Sequence, residues 1–110
     1  MRLTHLTIIA TIIITVVSIL LLPHMTEAQK PVIVPIHAGK YPVAVTVNPN
    51  TNMIYVANAD DNTTSVIDGK TSSVVKTIPV GRDPEGVAVN SNTNTVYVAN
   101  ARSHTVSVFP

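Results

Sequence analysis

Few residues in this chain carry side chains suited to catalysis or ligation, and their spacing decides what they can do. Beyond the first 28 residues the histidines are His37 and His104. The residues 42 positions from each are Pro79 and Asn62, so neither histidine recurs as a ligand pair would. Asp60-Asp61-Asn62 offers oxygens to a hard cation, but calcium takes about 6–8 oxygen ligands and the stretch 42 residues on is Arg102-Ser103-His104. Serines and threonines are plentiful without a base placed to activate one, and Gly39, Gly69, Gly81 and Gly86 stand singly, so no phosphate-cradling loop is present. Asn62-Thr63-Thr64 fits the acceptor pattern for N-glycosylation and makes Asn62 a candidate modification site. The residues therefore give no catalytic, cofactor-binding or metal site, and no cofactor is expected.

Charge and hydropathy set the location. The 110 residues hold seven Lys/Arg against six Asp/Glu, without a basic stripe, which excludes a nucleic-acid or polybasic membrane surface. The start is different. Arg2 precedes an uncharged run from Leu3 to Met25 that is densest between Leu6 and Leu22, Pro23 breaks it, and Ala28 offers a small residue before cleavage. Residues 1–28 thus read as a signal peptide or an uncleaved N-terminal membrane anchor. The chain beyond Ala28 is expected to be secreted or held at the cell surface, with membrane contact only through the N-terminal segment if it is kept.

Behind this leader the chain repeats itself. Tyr55-Val56-Ala57-Asn58 returns 42 residues later as Tyr97-Val98-Ala99-Asn100, and Pro42–Ile67 shares 15 of 26 positions with Pro84–Phe109 without a gap. A period of this length belongs to a propeller blade or a solenoid unit. Four runs rich in Val, Ile, Thr and Tyr fill the period: 43–47, 53–58, 63–68 and 73–78. Asn48-Pro49-Asn50-Thr51-Asn52 and Asp68-Gly69 separate them as turns, the glycine read as the supplier of positive φ. The second copy offers strands at 86–90, 95–100 and 105–109, and residues 31–37 read as an additional outer strand. Both faces of the middle strands are apolar, as in a sheet covered on both sides by other sheets. The fold expected is all-β: a partial β-propeller of about two four-stranded antiparallel blades, spanning 29–110 with repeats at about 42–83 and 84–110. Asn58 and Asn100 read as turn caps, and Tyr55 and Tyr97 as packing between blades.

The pattern YVAN, preceded by VNPNTN and followed by SVID and TIPVG, resembles the YVTN family of β-propeller repeats, found in secreted and surface-layer proteins, notably of archaea. Ala57 and Ala99 stand where that family has Thr. The resemblance implies a non-catalytic scaffold, structural, adhesive or protein-binding, with an extracellular protein or glycan as ligand. It also implies an alternative, a fragment of a propeller enzyme of lactonase-like or quinone- or haem-dependent oxidoreductase type. An exported unit of about 80 residues without cysteine is marginal alone. Other blades are therefore expected to complete it, from the same polypeptide or from a cyclic homo-oligomer.

Overall fold

A computed structural model describes residues 29–110, so the expected signal or anchor over 1–28 lies outside the described residues. Contacts divide the chain into Met1–Val34 and Pro35–Pro110, and the strands among the described residues belong to the second unit. Among the described residues no helix is long and apolar enough to cross a membrane.

Seven strands form: β1 (Pro42–Asn48), β2 (Met53–Asn58), β3 (Thr63–Asp68), β4 (Ser73–Pro79), β5 (Pro84–Asn90), β6 (Thr95–Asn100) and β7 (Thr105–Phe109). They make two antiparallel sheets, β1-β2-β3-β4 and β5-β6-β7, each a meander of sequence neighbours. The repeat is kept in the registers. Val45 pairs with Val56 and Val87 with Val98, while a bulge at Pro42/Ala44 recurs at Pro84/Gly86. Both prolines open a strand, where the missing N–H costs no ladder bond. Residues 31–37, expected as an outer strand, are assigned to none, and the second sheet has three strands. Pro31 and Pro35 cannot donate to a ladder, and strand structure requires a partner edge.

Short connections of four residues, 49–52, 59–62, 69–72, 91–94 and 101–104, join the hairpins. Each ends on a non-glycine residue with φ between 55° and 57°, namely Asn52, Asn62, Ser72, Asn94 and His104, and Tyr41 and Asp83 do the same ahead of β1 and β5. Asn and His tolerate this region better than most residues. No glycine among the described residues has positive φ, so the role expected for Gly69 is corrected. Its N–H donates to the Asn52 carbonyl at 2.8 Å, and a Cβ there would collide with the Asn52 backbone oxygen and side chain. Gly69 is needed for space.

The sheets pack face to face. Tyr55 and Val66 from the first meet Val96 and Val98 from the second, with Met53, Ile78, Val80, Val87, Val89 and Phe109 around them. The Tyr55 and Phe109 rings lie 6.2 Å apart at 57°, within the range of tilted aromatic pairs. Tyr55 is buried as expected, whereas Tyr97, at the same place in the second copy, is 41% exposed.

Candidate functional site

Alternating connections leave two rims. One carries 49–52, 69–72 and 91–94; the other carries 39–41, 59–62, 80–83 and 101–104. Asp60, Asp61, Asn62 and His104 lie on the second rim, and the structure shows how most of the polar atoms there are spent.

Asn58 closes β2 and is fully buried. Its Oδ1 accepts from the Gly39 N–H at 3.1 Å, and its Nδ2 donates to Thr63 Oγ1 at 3.1 Å and Ser65 Oγ at 2.9 Å. Asn100 donates likewise to Thr105 Oγ1 at 3.2 Å and Ser107 Oγ at 2.9 Å. A Cβ on Gly39 or on Gly81 would come within 2.6 Å of the Asn58 or Asn100 amide respectively, so both glycines leave room for it. The asparagines are thus more than turn caps: each clasps the next strand of its blade and, in the first copy, the segment that precedes that blade. The signal for this is present in the sequence, because Gly39/Gly81, Thr63/Thr105 and Ser65/Ser107 recur at the same offset of 42.

The triplet Asp60-Asp61-Asn62 is dispersed. Asp61 Oδ2 accepts from the Lys40 N–H at 2.7 Å, and Asn62 Oδ1 accepts from the Asp83 N–H at 2.9 Å. Asp60 instead lines an open concavity of about 210 Å³ with Ala59, Asn62, Arg82, Asp83 and Arg102. Arg102 Nε lies 3.5 Å from Asp83 Oδ2 with its side chain largely in solvent, an ion pair of small energetic weight. His104 occupies the left-handed position before β7, and His37 lies in the exposed strandless stretch. Among the described residues no three His, Cys, Asp or Glu side chains come together as a metal site. Within the glycosylation pattern Asn62 is exposed and Thr64 fully buried. Thr64 Oγ1 and Asn100 Oδ1 are buried without a partner.

The other rim joins the two blades. Asn48 Nδ2 donates to Asn94 Oδ1 at 2.9 Å, and Asn50 Nδ2 to the Ser91 carbonyl at 2.6 Å. The sequence marks these asparagines as turn formers and gives no sign of the bonds between blades.

The NHL repeat family model matches residues 82–109, the second copy. In structure the chain is similar to Kuenenia stuttgartiensis hydrazine synthase, with 26% identity and a TM-score of 0.60 over 72% of this chain and 22% of that one. It is also similar to a functionally unknown protein from Desulfotomaculum acetoxidans DSM 771, with 20% identity and a TM-score of 0.55 over 68% of this chain and 28% of that one. The chain therefore spans less than a third of either protein's length. No curated protein matches it. The repeat match and the two-sheet architecture support a β-propeller repeat protein.

Proposed function

We propose that this chain is a non-catalytic β-propeller scaffold of the YVTN type, exported and held outside the cell, whose loops present an adhesive or protein-binding surface. The observation that carries this reading is the use made of the recurring polar residues. At both copies the asparagine that ends the second strand is spent on hydroxyls within its own blade. A site for chemistry calls for a nucleophile, a base and stabilising donors within mutual reach, whereas these recurring amides and hydroxyls satisfy one another. The rim around Asp60, Arg82, Asp83 and Arg102 differs from copy to copy and is open to solvent. Loops on a rigid β framework are a common place for recognition, so this rim is the surface assigned to an extracellular protein or glycan.

Fractionation of the native host tests the location. Recovery in the medium or on the surface is the expected result, and a soluble cytoplasmic pool would contradict it. The similarity to an enzyme over 22% of that enzyme's chain gives the second reading, a fragment of a propeller enzyme, a definite assay. Incubating the purified chain with lactones and with redox dyes should give no turnover above buffer. Reproducible turnover lost on denaturation would favour the enzymatic parent.

A further inference from the structure

The repeat sets Lys40 beside Asp60 in the first copy and Arg82 beside Arg102 in the second, through the same hydrogen bonds. The Asp60 N–H donates to the Lys40 carbonyl at 3.3 Å, and the Arg102 N–H to the Arg82 carbonyl at 3.2 Å. One residue away, Ala59 donates to the Tyr41 carbonyl and Ala101 to the Asp83 carbonyl, each at 2.9 Å. The Lys40 N–H is held by Asp61 Oδ2 and the Arg82 N–H by Ser103 Oγ. The frame is the same and the charges differ. A lysine beside an aspartate attract, whereas two arginines held side by side repel. Asp83 offsets part of that repulsion, since its Oδ2 lies 3.5 Å from Arg102 Nε. A guanidinium has several N–H donors, so this one contact leaves most of those on Arg102 unspent. The Arg82 guanidinium has no ionic or hydrogen-bond partner among the described residues.

Both arginines line the open concavity of about 210 Å³, with Ala59, Asp60, Asn62 and Asp83. Their planar forks match a carboxylate through paired hydrogen bonds. The Asp60 carboxylate, an acceptor only, has no side-chain partner among the described residues. Asn62 spends its Oδ1 on the Asp83 N–H, so its Nδ2 remains a donor. A bare anion would meet repulsion from Asp60. A peptide anchor of the apolar kind that dominates protein interfaces would find only Ala59 in a lining otherwise polar. One small ring that carries a carboxylate and several hydroxyls suits every group present. Its carboxylate takes the arginines, while its hydroxyls donate to Asp60 and accept from Asn62. We propose that the concavity between 59–62, 80–83 and 101–104 binds an acidic sugar, a pyranose residue bearing a carboxylate, within a uronate-containing glycan. The proposal rests on the reading of this rim as a recognition surface and narrows it from protein or glycan to one class of glycan.

Calorimetric titration of the full chain, as its host matures it, with trigalacturonate, cellotriose and a short oligoglutamate provides the test. Trigalacturonate should bind, more weakly as salt is raised, and cellotriose should not. Arg82→Gln and Arg102→Gln should each weaken trigalacturonate roughly tenfold or more, the loss of a charge-assisted hydrogen bond. Lys40→Gln, at the corresponding place in the first copy, should leave binding unchanged. Asp60→Ala separates a sugar from a plain anion. With a sugar, the lost hydroxyl acceptor should weaken binding roughly fivefold; with a plain anion, the lost negative charge would tighten it. All four positions are exposed, and circular dichroism checks that each variant keeps its β structure. No binding of trigalacturonate, an equal loss in Lys40→Gln, or tighter binding by Asp60→Ala would each overturn the proposal. Oligoglutamate binding more tightly than trigalacturonate would also overturn it, giving the rim to an acidic protein. A chain found outside the cell that binds none of the three loses the acidic-sugar site and keeps the exported scaffold; a cytoplasmic chain that binds trigalacturonate does the reverse.

Discussion

Asn58 and Thr64 lie close in sequence and are both wholly buried, yet they stand at opposite ends of polar satisfaction. Asn58 engages three partners through one amide. Truncation strands the Gly39 N–H and two hydroxyls, and buried groups left unpaired cost about 1–3 kcal/mol each. Asn58→Ala should lower the unfolding free energy by about 3 kcal/mol, and Asn100→Ala by about 2 kcal/mol, since the Asn100 Oδ1 has no partner to lose. Urea titration followed by circular dichroism measures both, and equal losses below about 0.5 kcal/mol would remove the clasp from the account. Thr64 Oγ1 is buried without a partner, and the second copy has valine in that place. Thr64→Val removes a desolvated hydroxyl at nearly constant volume, so stability should rise by about 1 kcal/mol. A lower melting temperature would show that the hydroxyl is satisfied.

At the scale of elements, strand composition was legible and the detail of turns was not. Residues 53–58, 63–68, 95–100 and 105–109 form strands within the bounds expected, because runs of Val, Ile, Thr and Tyr fall between turn formers. Residues 31–37 have a similar composition and form no strand. Local pattern reports suitability for a sheet, while a strand also requires an edge to pair with. Turn chemistry misled at Gly69, since the left-handed backbone falls on Ser72, three residues on. Gly69→Ala should cost about 2 kcal/mol by overpacking against Asn52. Ser72→Gly, at an exposed turn residue, should gain about 0.5 kcal/mol by relieving a left-handed serine. Thermal melts of the two variants should move in opposite directions; a shared direction would contradict the assignment of space to one and φ to the other. The clasp was half legible: Asn58 and Asn100 stood out by recurrence, but the glycine and hydroxyl partners emerge only once the strands are set side by side.

For the molecule as a whole, the repeat period fixes what must touch. A core drawn from Tyr55 and Val66 of one sheet and Val96 and Val98 of the other belongs to neither blade alone. The Asn48–Asn94 and Asn62–Asp83 hydrogen bonds fasten the blades at the two rims. Blade 2 is covered on one face, where Val96, Val98 and Asn100 alternate with exposed Tyr97 and Ala99. Such a blade has too little buried apolar surface to persist undocked. The central claim is that the two copies form one cooperative unit through this shared core. Native-state hydrogen exchange, resolved by residue, tests it most directly. Amides of β2, β3 and β6 should exchange with a common opening free energy and respond together when Tyr55→Ala is introduced. Protection in β2 and β3 that persists while β6 exchanges freely would show two independent blades and contradict the account.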